Sequence, residues 1–292
     1  MKFGAHQTFH LKDGWIYKGL NAVKNNPSVF SDDDAVEVLG VGKNMVESIE
    51  YWLQSLKLID KKKDQFELTP IANLILEHDP YFELDGSAIL AHYLLATNKE
   101  SATTFYWFFN CFLVDEFEKS SLNVYLESYV QNQIDKTINP NTLDKDLNCL
   151  LRTYREVEFD EKGNPENENP SPFSKFNLIK ESEGKYLRGK IQVDNVHPLV
   201  FVYLLYVYWS TNLNSPKSFG LDENLNKEMF PSLVLGLSQE DTVALIEKIA
   251  KDYPSVYIDY SRTGGFYILN IHEKKARNAL KDYFREMSVE GV

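Results

Sequence analysis

Two histidines near the amino terminus are the first side chains whose types and spacing could do chemistry. His6 and His10 lie four residues apart in FGAHQTFHLKDGW, a spacing that lets two histidines bind one metal on a helix, as in H-E-x-x-H. However, no acidic residue stands in the general-base position, and Gly4 and Gly14 bracket the segment. We therefore predict no metal site and a hydrogen-bonding role for His6, with direct contact to nucleic acid or a partner as the alternative.

Other motifs that carry catalysis do not occur in the chain. The sequence contains no Walker loop and no G-x-S-x-G element, so the catalytic residues are unknown at this stage. The two cysteines, Cys111 and Cys149, lie in apolar segments without C-x-x-C spacing. We predict that both are buried thiols of a protein kept in a reducing compartment.

The segment that follows Gly42 has side chains of the types that contact DNA. A helix is predicted from Lys43, and its expected exposed positions carry polar or charged groups: Lys43, Asn44, Glu47, Ser48 and Tyr51. Asparagine pairs well with adenine, glutamate accepts from cytosine, and serine contacts several bases. Three lysines further along the chain are placed to contact phosphates: Lys61, Lys62 and Lys63.

These side chains predict a DNA-binding surface, but a second interpretation stays open. Glu47 and Glu50 bring negative charge to the same helix, and negative charge opposes contact with phosphates. The alternative is therefore a purely structural or protein-binding role for this part of the chain.

The elements around these side chains follow the helix-turn-helix pattern. Ser31, followed by three aspartates, predicts a helix start with Ser31 as N-cap, and that helix ends near Leu39–Gly40. A longer helix runs from Lys43 to about Lys57, with its apolar residues on one face. A strand at 58–60, a polar turn and a strand at 66–69 follow, and Thr69 with Pro70 starts another helix. This order is typical of a winged helix-turn-helix.

The centre of the chain is predicted to be a helical bundle. Helices are expected at 86–96, 102–114, 122–131 and 142–154. The second contains the run FYWFF, which is apolar on every side, and such a helix belongs in the middle of a bundle.

The carboxyl-terminal part mixes helices and hairpins. Hairpins are expected at 177–193 and 256–269, and helices from Pro198, Ser238 and Glu273. The order of helix, hairpin and helix at this end is consistent with a second winged-helix-like unit. The fold class is therefore mainly α with small β hairpins, an α+β protein.

Four parts follow from these patterns. Residues 1–80 form an N-terminal arm and the winged helix-turn-helix, 81–157 the helical bundle, 158–172 a flexible acidic loop, and 173–292 a C-terminal mixed α/β domain.

The charge balance limits the kinds of partner. The 292 residues carry a formal net charge of −12, with 31 basic and 43 acidic side chains, which excludes a uniformly basic nucleic-acid binder but not local basic patches. The longest apolar run, 198–209, is shorter than the roughly 20 residues that span a bilayer, and no signal-peptide core opens the chain. We expect a cytoplasmic protein without membrane contact.

Several segments resemble a bacterial family known as domain of unknown function 4007. The opening FGAHQTF followed by GW is similar to the family's F-S-G-H-E-T-F…G-W, with Gln7 in place of its glutamate. The segment LGVGKNMV, with Ile49, Tyr51 and Trp52, resembles L-G-V-G-K-N-M-V-x-x-I-x-Y-W. Further landmarks stand in the same order through LRTY at 151–154, and the likeness is weaker after 158.

The resemblance implies a functional context. The family is similar to SspB-type proteins of DNA phosphorothioation and phage-defence systems, and its members are encoded beside sulfur-transfer enzymes. The resemblance thus implies a DNA-binding component of a phosphorothioate modification system that nicks one DNA strand, with double-stranded DNA and other proteins of that system as partners. A divalent metal is the implied cofactor if the protein is a nickase; the cofactor is otherwise unknown.

A non-enzymatic function is the alternative to this expectation. The chain would then be a winged-helix transcriptional regulator or an assembly adaptor, and the aromatic bundle would supply the surface for a homodimer or another partner.

Overall fold

The computed structural model describes residues 1–134, 137–155 and 170–290, in two compact units, Met1–Gly189 and Lys190–Val292. Each unit is mostly helical with small antiparallel sheets, so the predicted α+β class is confirmed. The four-part division of the chain stays a prediction. Positions 158–169 of the expected acidic loop lie outside the described residues.

Three helices and a hairpin open the first unit. The helices α1 (Trp15–Asn25), α2 (Ala35–Leu39) and α3 (Lys43–Ser55) precede β1 (Ile59–Lys62), β2 (Gln65–Leu68) and α4 (Pro70–His78). Helix α1 packs on α3 at Gly19, where an added Cβ would lie 2.6 Å from the side chains of Ile49 and Leu53. The missing side chain at Gly19 therefore lets the two helices approach closely.

The start of α2 differs from the prediction. Ser31 ends a 3-10 turn, Val29–Ser31, and the extended backbone of Asp32 (φ −82°, ψ 149°) separates it from the helix. Helix α2 begins only at Ala35 and has no side-chain cap. It ends at Gly40 (φ 58°), a left-handed position that glycine adopts at little cost.

A hairpin follows α3 as expected, but Lys61 and Lys62, which were expected in the turn, belong to β1. Its register pairs Ile59 with Leu68 and Lys62 with Gln65, and the turn includes Lys63 at φ 57°. The Phe66 N–H donates to the Pro27 carbonyl at 2.8 Å, which ties the hairpin to the segment between α1 and α2.

Four helices and a small sheet complete the first unit. The helices are α5 (Asp85–Ala96), α6 (Thr103–Asn110), α7 (Lys119–Gln133) and α8 (Pro140–Tyr154). The sheet has the antiparallel order β3–β5–β4, formed by β3 (Glu116–Phe117), β4 (Ile179–Ser182) and β5 (Lys185–Arg188). Strands β4 and β5 are the predicted hairpin, whereas β3 was not predicted.

The aromatic run of α6 lies in the interior. Every residue from Phe105 to Phe109 is at most 3% exposed. The helix ends at Asn110, earlier than predicted, and the Asn110 side chain donates to the carbonyls of Ala96 and Tyr106 at 2.8 Å. The run is therefore buried in the core, as predicted.

The second unit is built around one long apolar helix. Helix α9 (Pro198–Asn212) is followed by β6 (Phe219–Gly220), α10 (Pro231–Leu235), α11 (Gln239–Asp252), β7 (Ile258–Thr263), β8 (Phe266–Ile271), α12 (Glu273–Ala276) and α13 (Ala279–Glu290). The strands form an antiparallel sheet in the order β6–β8–β7. Helix α11 begins with a capping box, in which Ser238 and Asp241 bond each other's backbone N–H.

The apolar helix α9 belongs to this core. It packs against α11 and α13. Nowhere in the part of the chain that the structure describes is a helix both long and apolar enough to cross a membrane.

Candidate nucleic-acid interface

The amino-terminal end of α3 presents the exposed candidates for DNA contact. Gly42, extended at φ −66° and ψ 158°, precedes the helix. Lys43, Asn44 and Glu47 are exposed in its first two turns. The Glu47 carboxylate accepts from the Gln7 side-chain amide at 2.7 Å, so the amino-terminal segment lies beside this end of α3.

Ser48 and Tyr51 were expected on the same exposed face, and both are buried. Ser48 is fully buried, and its hydroxyl donates to the His6 carbonyl at 3.0 Å. Tyr51 is 6% exposed, with its ring centroid 5.9 Å from that of His6. Burial raises the pKa of the Tyr51 phenol well above its usual range. The amino-terminal segment covers this side of α3, so these two residues do not face solvent.

The three lysines after α3 differ in their surroundings, although all are exposed. Lys62 pairs with Glu67 across the hairpin, and Lys61 lies with its ammonium 5.5 Å from the Phe66 ring centroid. Lys63 stands at the turn. The hairpin therefore offers positive charge at its end, part of which Glu67 compensates.

His6 joins the amino-terminal segment to helix α8. Its Nε2 donates to Asp146 Oδ1 at 2.7 Å, and both side chains are buried. The same carboxylate accepts from the Gly4 N–H at 2.8 Å and from the Thr104 hydroxyl at 3.1 Å. The Asp146 carboxylate therefore joins the amino-terminal segment to α6 and α8.

The charge state of the His6 ring does not change this bond. Burial lowers the pKa of the ring, but Cys149 and Asp146 raise it, and the net pKa lies above that of free imidazole. The Thr8 N–H donates to Nδ1 at 3.1 Å, which requires a neutral ring with its proton on Nε2, so this bond opposes the rise in the pKa. Neutral ring and imidazolium alike donate from Nε2 to Asp146.

The turn after His6 is strained. Gln7 (φ 50°) and Thr8 (φ 67°) both occupy the left-handed region, which is rare for a β-branched residue such as threonine. Thr8 is exposed, and its N–H is fixed by the His6 ring. The bonds made by His6 therefore hold a backbone conformation that the sequence of the turn does not favour.

Phe9 fastens the end of the segment through its backbone. Its carbonyl accepts from Trp52 Nε1 and from the Cys149 thiol, both at 3.3 Å. Its ring lies edge-on to Trp15, with centroids 6.1 Å apart. The contacts of His6 and of the Phe9 carbonyl thus go to α3 and α8, whereas Thr8 bonds the His6 ring and the Phe9 ring contacts Trp15 of α1.

Asp146 was missed from the sequence, although a signal was present. Leu143, Leu147 and Leu150 mark the buried face of α8, and Asp146 falls on that face, three residues after Leu143. An acidic residue in such a position needs a partner. His6 and Asp146 are 140 residues apart in sequence, so periodicity along the chain could not name the pair.

Helix α2 places apolar and acidic side chains beside the candidate interface. Val36 and Val38 are 42% and 55% exposed. Exposed acids surround them: Asp32, Asp33, Asp34 and Glu37. The basic side chains of this candidate interface therefore lie at the start of α3 and on the hairpin, and not on α2.

The described residues bring no cluster of metal-ligating side chains together. No three or more His, Cys, Asp or Glu side chains within 1–134, 137–155 and 170–290 come together in a way that could hold a metal. His6 is instead held by hydrogen bonds to Asp146 and Thr8.

Two solved structures have a similar fold. One is described as a magnesium ion-bound SspB crystal structure, with a TM-score of 0.85, and the other as an SspB crystal structure, with a TM-score of 0.83. Each is 21% identical to this chain, and each comparison covers 97% of this chain and 88% of the other. At this identity the likeness concerns the fold alone.

Sequence comparison identifies the family. No curated protein matches the chain. The model of a family described as protein of unknown function (DUF4007) matches residues 3–284, in agreement with the resemblance seen in the opening segment and in α3. This chain therefore belongs to the DUF4007 family.

Proposed function

We propose that this protein is a DNA-binding component of a bacterial DNA phosphorothioate modification and anti-phage defence system. In this proposal α1, α2, α3 and the β1–β2 hairpin act as a winged helix. The observation that carries it is the exposed pair Lys43–Asn44 at the start of α3, with Lys61–Lys63 on the following hairpin.

The start of α3 suits contact with duplex DNA. In helix-turn-helix proteins the second helix enters the major groove with its amino-terminal residues at the base edges. The Asn44 amide could bond adenine through two hydrogen bonds, while Lys43 contacts phosphate or guanine. The positive end of the helix dipole at Gly42 also favours a phosphate.

The amino-terminal segment acts as a positioning element in this proposal. The segment bonds Ser48 and Trp52 on α3, and Asp146 and Cys149 on α8. These bonds fix the orientation of α3 relative to α8. Ser48 and Tyr51 then contribute by holding that segment rather than by touching bases.

The link to phosphorothioation rests on family membership and on the fold shared with SspB. Replacing a non-bridging phosphate oxygen with sulfur requires access to the DNA backbone, and a subunit that recognises a site and cuts one strand would give that access. Proteins of the same modification system would be its partners, in the cytoplasm.

Sequence preference tests the DNA-binding proposal. The full-length chain would be titrated against a panel of short duplexes, beside Lys43→Ala/Asn44→Ala and the control Asn21→Ala/Lys24→Ala, which removes the same residue types from the exposed side of α1. We expect the α3 variant to lose about 1–3 kcal/mol of discrimination per lost base contact, and the control to behave as the parent. Equal preference in all three proteins would refute the proposal.

Supercoiled plasmid tests the nicking part separately. Hydrolysis of one phosphodiester would convert supercoiled into relaxed circles in the presence of a suitable divalent ion, and a panel of such ions would be used. The Lys43→Ala/Asn44→Ala variant, purified identically, controls for contaminating nuclease, because only a contaminant would relax the plasmid equally in both preparations.

A regulator or adaptor is the second candidate, and α2 favours it. Val36 and Val38 are exposed among acids on the helix next to α3, and exposed apolar side chains are typical of a protein-binding surface. Duplex binding without relaxed circles at any tested metal would select this function over nicking.

A further inference from the structure

A row of basic side chains runs along one face of α12 and α13. It consists of Lys274, Arg277, Lys281 and Arg285, spaced three, four and four residues apart, and we call it the basic stripe. Hydrogen bonds from Arg277 N to Glu273 O and from Lys281 N to Asn278 O, both 2.9 Å, continue the helical path between the two helices. That spacing places all four on one side, and all are exposed.

Two acids of α13 are bonded by tyrosine hydroxyls, whereas Glu273, the first residue of α12, is exposed beside Lys274. The Asp282 carboxylate accepts from the Tyr257 hydroxyl at 2.9 Å, and Glu286 accepts from the Tyr253 hydroxyl at 2.9 Å. Burial and these carboxylates raise the pKa of both phenols, so the hydroxyls keep their protons and remain donors. Within the described residues, Arg285 alone among the stripe residues pairs with an acid, Asp282 at 3.0 Å.

The opposite face anchors the two helices. Ala276, Leu280, Tyr283 and Phe284 are at most 2% exposed, and both helices pack against α9. The stripe is thus held on a rigid support. From Lys274 to Arg285 it is about 17 Å long at 1.5 Å per residue, a length over which duplex DNA presents about ten phosphate charges.

Helix α11 is the competing candidate within this unit. It precedes the β7–β8 hairpin as α3 precedes β1–β2, a position that suggests a base-reading helix. However, its first turn carries Glu240 and Asp241, and the Gln239 side chain donates to Asp222 at 3.0 Å. These acids would repel phosphates at the start of α11. The basic stripe is therefore the better candidate for contact with DNA in this unit.

We propose that the basic stripe binds the phosphate backbone of duplex DNA as a second contact surface, without reading sequence. The proposal deepens the proposed DNA-binding function and rests on it. Lysine and arginine on one helix face contact phosphates at several points, and they carry no base specificity there. The stripe would add affinity to the preference supplied by α3.

The salt dependence of duplex binding tests the stripe. The variant Lys274→Ala/Arg277→Ala/Lys281→Ala keeps the Arg285–Asp282 pair, and alanine preserves helix propensity. The control Lys217→Ala/Lys248→Ala/Lys251→Ala removes the same charge from other exposed positions in the same unit. Loss of three phosphate contacts lowers the slope of log K against log salt by about 2.7. We expect that change in the stripe variant and an unchanged slope in the control.

The outcomes separate the two proposals. An unchanged slope in the stripe variant, with sequence preference still lost in Lys43→Ala/Asn44→Ala, overturns the stripe alone. A stripe-dependent slope without any sequence preference in the parent supports the stripe and overturns the role of α3. No duplex binding at low salt overturns both. The stripe variant could instead lose binding to phosphatidylserine vesicles while its salt slope for duplex binding stays unchanged. That result would assign the stripe to a membrane surface and overturn the proposed DNA contact.

Discussion

The carboxylate of Asp146 is the side chain on which the amino-terminal segment depends most. Replacing Asp146 with alanine leaves the Gly4 N–H, the His6 ring and the Thr104 hydroxyl without their acceptor. Breaking a buried pair by removing one partner costs about 3–5 kcal/mol. We expect a loss of that size in the free energy of unfolding, measured by urea titration of the full chain.

Asp144 provides the matched control on the same helix. It pairs with Lys119 at 2.8 Å, and its side chain is 41% exposed. An exposed pair contributes about 0–1 kcal/mol, so Asp144→Ala is expected to change stability little. Similar losses in the two variants would show that the buried bonds to the amino-terminal segment do not stabilise the chain.

The sequence predicted the hydrogen-bonding role of His6 but not its partner Asp146. The surroundings of His6 and His10 argue against a metal site and for a hydrogen-bonding role, and the structure gives His6 such a role. Its partner could not be named, because the pairing depends on how α8 packs in the folded unit. Ser48 and Tyr51 were predicted to be exposed for a similar reason. Helical periodicity shows which face of α3 they occupy, but it does not show that the amino-terminal segment covers that face.

Among the elements, the contact between α1 and α3 sets the position of the candidate DNA-reading helix. Alanine at Gly19 would place a Cβ 2.6 Å from the side chains of Ile49 and Leu53. Overpacking costs about 1–3 kcal/mol, which exceeds the about 0.5–1 kcal/mol that alanine gains over glycine inside a helix. We therefore expect Gly19→Ala to lower the free energy of unfolding. Asn21→Ala, on the exposed side of α1, is the control and should not destabilise the chain.

Elements with local signals were predictable, and elements that depend on distant partners were not. Thr69 and Ser238 mark the starts of α4 and α11, since each side chain caps its own helix. Strands β3 and β6 have two residues each and form only by pairing with Leu187 and Leu269 in later strands. Ser31 was misassigned as an N-cap because the same residue types also favour the turn that it occupies.

At the scale of the whole molecule, the net charge limits where the proposed DNA contact could lie. With a net charge of −12, the chain as a whole repels a polyanion. In the proposal, the start of α3, the first hairpin and the basic stripe supply the local positive charge. The negative net charge was evident from composition, whereas the stripe emerged only when the structure placed Asp282 and Glu286 against tyrosine hydroxyls.

The second unit contains enough core to fold by itself. Within Lys190–Val292, α9 contributes buried Leu199, Phe201 and Leu204, and α13 contributes Tyr283 and Phe284. Its size lies in the range of independent domains, whose stability is about 5–15 kcal/mol. We expect residues 190–292, expressed alone, to unfold cooperatively in urea. As a comparison, Phe284→Ala should cost about 3–5 kcal/mol. A gradual transition that Phe284→Ala leaves unchanged would show that the core forms only when residues 1–189 are present.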